Sequence, residues 1–155
     1  MNIPRYPTLI HERVDLARRG ENPAVICRMP SGWAVLGDYQ FLTGYSLLLA
    51  DLVFDHLNDL DDPSRSRFLQ DMALLGEARH ACTGAFRLNY EILGNCDAAL
   101  YAHVFPRYHH EPDEYRNASV WSYPAETRTS MHLNAVIHDD LRKRISSYLT
   151  SRIGS

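Results

Sequence analysis

Short apolar runs broken by turn residues alternate along this chain with stretches of helical period. Residues 8–19 carry Leu9, Val14 and Leu16 at helical spacing and stop at Gly20, which predicts an N-terminal helix. Residues 24–28, 33–36 and 45–49 are short apolar runs separated by Pro30-Ser31-Gly32, Gly37-Asp38 and Thr43-Gly44. They read as strands of an antiparallel meander. The acidic stretch 58–62 then announces a long helix: Asp62 is suited to cap it, and Pro63 to occupy its first position. Phe68, Met72, Leu75 and Cys82 share one face of that helix, with Arg65, Arg67 and Asp71 pointing outward. Two more strands, 86–92 and 100–105, flank the turn Gly94-Asn95-Cys96-Asp97. Residues 109–130 are polar and aperiodic and are expected to wrap the surface. Residues 139–153 form an amphipathic pattern on Leu141, Ile145, Tyr148 and Leu149, a C-terminal helix. Strands, one long helix and a closing strand pair indicate an α+β fold, with 1–155 as a single domain.

Composition narrows the classes of function. At 155 residues and 45% hydrophobic, the chain can build a core without disulfides. A net charge of -3 with no dense basic run offers nucleic acid no attraction. No run approaches the ~18 apolar residues of a membrane span, and the first residues lack the apolar core of a secretory signal. Cys27, Cys82 and Cys96 are too scattered for a disulfide framework or a CxxC metal pair. The expected setting is the cytoplasm, with no metal and no cofactor.

The strand around residue 103 carries the most chemistry. Alternate side chains of a strand share a face, so Ala99, Tyr101, His103 and Phe105 lie together, opposite Leu100, Ala102 and Val104. One face is small and apolar, as a core contact should be. The other sets a phenol and an imidazole about 7 Å apart by strand rise, close enough to reach one small anionic group.

Residues 100–108, Leu-Tyr-Ala-His-Val-Phe-Pro-Arg-Tyr, resemble the signature strand of the histidine triad (HIT) superfamily of nucleotide hydrolases and transferases. That family's pattern is His-φ-His-φ-His-φ-φ, with φ apolar, commonly followed by Pro-Arg. Anchored on Phe105-Pro106-Arg107, the third triad position is His103, the middle one Tyr101 and the first Ala99. The likeness runs from about residue 22 to 124. The resemblance implies an antiparallel sheet with one long central helix plus N- and C-terminal helices, and commonly a homodimer. It also implies a nucleotide or small phosphorylated ligand. Tyr101 and His103 would be the catalytic positions, and Gly37 and Asp38 would lie near the ribose. Asn89, Gly94 and Asn95 would approach the phosphates. Thr43-Gly44-Tyr45 stands where many members have Pro-Gly-His. Arg107 suits bidentate phosphate binding, or an ion pair with Glu111, Asp113 or Glu114. Gly44 and Gly94 equally suit turns that need positive φ, and Asp38 a turn closed on its own backbone. Asn89 shares a strand face with Arg87 and Glu91, which allows simple pairing across the sheet.

In the family the middle histidine attacks phosphorus, and water then cleaves the P–N bond. Imidazole is largely neutral at cellular pH and leaves readily once phosphorylated. Tyrosine, with a pKa near 10, stays protonated and weakly nucleophilic without a base. The expectation is a nucleotide-site protein with covalent hydrolysis weak or lost. The alternatives are an active phosphohydrolase or nucleotidyltransferase working by an altered route, or a pocket repurposed for other acid/base chemistry. His109-His110-Glu111 lacks a second cluster at ligand spacing and reads as solvated surface.

Overall fold

The computed structural model describes residues 5–154. Helix α1 (Leu9–Arg18) leads into strands β1 (Val25–Met29), β2 (Gly32–Leu36) and β3 (Ser46–Ala50). Helix α2 (Asp62–Cys82), strands β4 (Arg87–Glu91) and β5 (Tyr101–Arg107) follow. Short helices α3 (Asp113–Arg116) and α4 (Ala125–Arg128) precede the last helix, α5 (Asp139–Ile153). The five strands form one sheet in the order β1-β2-β3-β5-β4, every pair antiparallel. The architecture is α+β, as expected, and among the described residues no helix is long and apolar enough to cross a membrane.

Alternation along the strands divides the core between the two faces of the sheet. Leu36, Leu48, Leu100, Ala102 and Val104 pack on one face against Phe68 and Leu75 of α2 and Leu141, Ile145 and Leu149 of α5. On the other face Val35, Leu49 and Tyr101 meet Ile10 and Val14 of α1. Phe105 closes a third cluster with Leu42, Tyr108, Val120 and Tyr123. Strand β5, inside the sheet and covered on both sides, is buried at all its positions. A half-wet antiparallel sheet would show one exposed face.

Several local expectations shift. The α2 cap is Asp61, whose side chain accepts the Ser64 N–H at 2.8 Å, so Pro63 falls in the second helical position. Asp71, expected outward, is buried and accepts the Ser31 N–H at 2.8 Å, tying α2 to the β1–β2 turn. In α1 the buried positions are Ile10, Val14 and Ala17, while Leu9 is exposed. Residues 109–130 do more than wrap the surface: Glu111, Val120 and Tyr123 are buried and seal one end of the sheet. Arg79, also on α2, is fully buried. Its Nη2 donates to Ser46 Oγ, Nε and Nη1 meet no acceptor among the described residues, and desolvation pushes its pKa down to about 9.

Candidate functional site

Pairing in the sheet fixes the site strand. Leu47 and Leu49 of β3 stand opposite His103 and Tyr101, and Glu91 of β4 stands opposite His103 on the other side. Tyr101 and His103 therefore share a face, as expected, with ring centroids 5.3 Å apart in an edge-on arrangement. Both are buried, 7% and 8% exposed.

His103 sits in an aromatic stack. Phe105 lies parallel to it at 5.4 Å, Trp121 edge-on at 5.9 Å, and the Tyr45 hydroxyl meets Nδ1 at 2.6 Å. Desolvation lowers the His103 pKa to about 4, so the imidazole is neutral at cellular pH. Burial raises the Tyr45 phenol well above its ordinary value, so it keeps its proton. We therefore assign that proton as donated to Nδ1, which leaves the ring hydrogen on Nε2. The Tyr101 hydroxyl makes no hydrogen bond among the described residues; burial first and Asp97 second raise its pKa. Among those residues the phenol has no hydrogen-bonded base to activate it.

The other candidates fall into three groups. Gly37 and Asp38 lie at the end of β2, beside Tyr45. A Cβ on Gly37 would stand 2.2 Å from the Tyr45 ring, so only glycine lets that ring reach His103. Asp38 holds Arg13 of α1 through two hydrogen bonds of 2.7 and 2.9 Å rather than bonding its own turn. Gly94, at φ +69°, and exposed Asn95 belong to the loop before β5. That loop runs beside Tyr101, and its Asp97 accepts the Leu9 N–H.

Asn89 and Arg107 stand apart from these, at the far end of the same sheet face. All five Arg107 N–H groups are taken: by Glu111, by Asn89 Oδ1 at 2.8 Å, and by the carbonyls of Ala118 and Tyr115, both at 2.7 Å. Glu111 also accepts from the Tyr123 hydroxyl and the Tyr108 N–H. Of the partners open to Arg107 in the sequence, Glu111 is the one, and no donor remains for a phosphate. Arg107 pins residues 108–123 to the sheet, and Asn89 is part of that pin. His109 and His110 stack on Phe86 and Tyr108.

This arrangement invites comparison with known structures. A histidine triad protein of Sinorhizobium meliloti 1021 superposes with a TM-score of 0.70 at 18% identity, covering 84% of this chain and 93% of its own. One from Marinobacter aquaeolei VT8 gives 0.72 at 16% identity, covering 94% and 98%. The chain has the histidine triad fold. A hypothetical histidine triad nucleotide-binding protein of Sulfolobus tokodaii strain 7 shares it at a TM-score of 0.68 and 14% identity, covering 90% and 92%. No family model and no curated protein matches the sequence.

Sequence alone does not bring Tyr45 and Trp121 to His103. Tyr45 is legible only as the third residue of Thr43-Gly44-Tyr45, and Glu91 only through its strand face. Trp121, and Arg13 on Asp38, carry no local signal. The Trp121 indole N–H donates to Glu91 beside His103, a meeting of residues 30 positions apart.

Proposed function

We propose that this protein is a histidine triad relative that binds a nucleotide or small phosphorylated ligand, with covalent nucleotidyl hydrolysis weak or lost. In this reading Ala99, Tyr101 and His103 occupy the triad positions. The observation that carries it is Tyr101: a phenol with a raised pKa and no hydrogen-bonded base among the described residues, next to a neutral His103 already engaged by Tyr45. A protonated phenol is a poor nucleophile. Its phosphodiester would also lack the cationic leaving group that makes a phosphorylated imidazole labile.

A route for the ligand is supported by the Arg13–Asp38 pair, whose side chains are 31% and 47% exposed. Exposed pairs of this kind contribute at most about 1 kcal/mol, so a ligand can part them. Arg13 would then take a phosphate, and Asp38 the ribose hydroxyls. Gly94 and Asn95, in the loop beside Tyr101, would line the approach. The proposal includes a homodimer working in the cytoplasm, in keeping with three unpaired cysteines.

Calorimetry with AMP, ADP and adenosine tests the binding. We expect AMP and ADP to bind more tightly than adenosine; no heat with any of them at millimolar concentration would remove the reading. The Tyr101→His variant tests the chemistry. Restored cleavage of a nucleoside phosphoramidate is expected, against little turnover by the unaltered chain. Brisk turnover by the unaltered chain, abolished by Tyr101→Phe, would instead establish a tyrosine nucleophile.

A further inference from the structure

Beside His103 a cavity opens, of about 200 Å³. Tyr39, Phe41, Tyr45, Phe105 and Trp121 line it, together with Arg128. Neither Tyr101 nor His103 lines it. We propose that this cavity binds a small planar aromatic anion: a single ring carrying a carboxylate or phosphate.

Shape supplies the first argument. Tyr45 and Phe105 lie parallel at 4.3 Å, and Trp121 stands perpendicular to Phe105 at 6.1 Å, so flat faces meet at a right angle. An inserted ring finds an offset or edge-on partner on each side, the geometries that aromatic quadrupoles favour. The volume lies below the ~300–1,000 Å³ of sites for drug-sized ligands, which limits the occupant to about one ring and its substituent.

Charge supplies the second. Aromatic walls alone would also suit an organic cation, but the place over the indole is already filled. Arg128 stands 5.1 Å from the Trp121 ring centroid. Its Nε donates to the Tyr123 carbonyl at 3.2 Å, while its two Nη groups make no hydrogen bond among the described residues. The indole is itself oriented by its N–H bond to Glu91, which occupies that carboxylate. A cationic ligand would meet a fixed guanidinium, whereas an anion meets four unspent N–H donors in a fork suited to carboxylate or phosphate.

Tyr45 is the wall shared with the candidate pair, its ring in the cavity and its hydroxyl on His103. The proposal goes beyond nucleotide binding and stands without it, because it uses neither Tyr101 nor Asp38.

The test follows the indole N–H signals of the two tryptophans, Trp33 and Trp121, in the ¹H–¹⁵N spectrum of the full chain during titration with benzoate. We expect a saturable shift at Trp121 with a dissociation constant on the order of 1 mM, and Trp33 unmoved. Cyclohexanecarboxylate keeps the charge without the flat ring, and benzylammonium keeps the ring with the opposite charge. Each should bind about tenfold more weakly or not at all, and Arg128→Gln should weaken benzoate about tenfold. Trp121→Leu, at a side chain 44% exposed, should abolish binding while leaving the fold intact, followed through remaining backbone signals. Benzylammonium binding as tightly as benzoate would overturn the proposal. So would no shift at about 10 mM benzoate, measured on the unaltered chain and so independent of any variant's folding.

Discussion

Burial of His103 among Tyr45, Tyr101 and Phe105 has a consequence that titration can read. In the unfolded chain this imidazole takes up its proton near pH 6.5; in the folded protein it does so only near pH 4. Between those values the unfolded state holds the extra proton, so stability falls as the pH drops from 6.5 towards 4. The loss from this one group is on the order of 3 kcal/mol at the low end. Urea denaturation at steps across this window should show the decline, and His103→Gln should flatten it. The buried pair Arg107–Glu111 makes a second case, since each side chain is almost fully enclosed. Glu111→Gln leaves the guanidinium without its counter-charge and should cost about 3–5 kcal/mol in the same assay. Arg79 should behave in the opposite way. It is buried with two donor nitrogens unmet among the described residues, and Arg79→Met should stabilise the fold by roughly 1–3 kcal/mol, seen as a higher denaturation midpoint.

Helix α1 packs over the face that carries Tyr101. It crosses the sheet face with Ile10 and Val14 packed in the same cluster as Tyr101. Its first turn is tied to Asp97, its middle to Asp38 and its last turn to Asp51. Ile10→Ala removes buried methyl groups and should lower stability by roughly 2–4 kcal/mol. If Arg13 takes the ligand phosphate, Arg13→Gln should weaken AMP about tenfold and leave adenosine unchanged by calorimetry. Equal loss for both ligands would instead mean that Arg13 acts only by holding the helix. At the other end of the sheet, residues 109–130 look polar in sequence, and most of them are exposed. Glu111, Val120 and Tyr123 nonetheless turn inward, where Glu111 and the carbonyls of Tyr115 and Ala118 satisfy the buried Arg107. A buried polar side chain is tolerated when it is bonded in this way.

The whole molecule is a sheet covered on both faces and open at two edges, β1 and β4. An edge strand leaves backbone donors and acceptors ready to pair with another chain. With Tyr90 and Leu93 exposed in and just after β4, that edge is where a second copy would most readily add. Sedimentation should give a mass of two chains for the proposed dimer; a single-chain mass across the micromolar range would reject it.

Local pattern is enough for the five strands and for helices α1, α2 and α5, but not for the one-turn helices α3 and α4, which lie in the aperiodic stretch 109–130. Helix α5 spans the same 139–153 that the apolar spacing marks, the five strands fall where the apolar runs lie, and their faces divide as alternation requires. Hydrophobic periodicity is read over a few neighbouring residues, and burying one face of each element leaves few other ways to fold it. The partners of the polar groups were decided only in three dimensions. Asp38 meets Arg13 across 25 positions, Asp71 the Ser31 amide across 40, and His103 the Tyr45 hydroxyl across 58. A charge or hydroxyl can be satisfied by whichever group the packed chain brings within reach, and no local period specifies which. The sequence thus named Tyr101 and His103 and their common face, while the tertiary structure determined that among the described residues the phenol meets no base, the imidazole is neutral, and Arg107 is already spent.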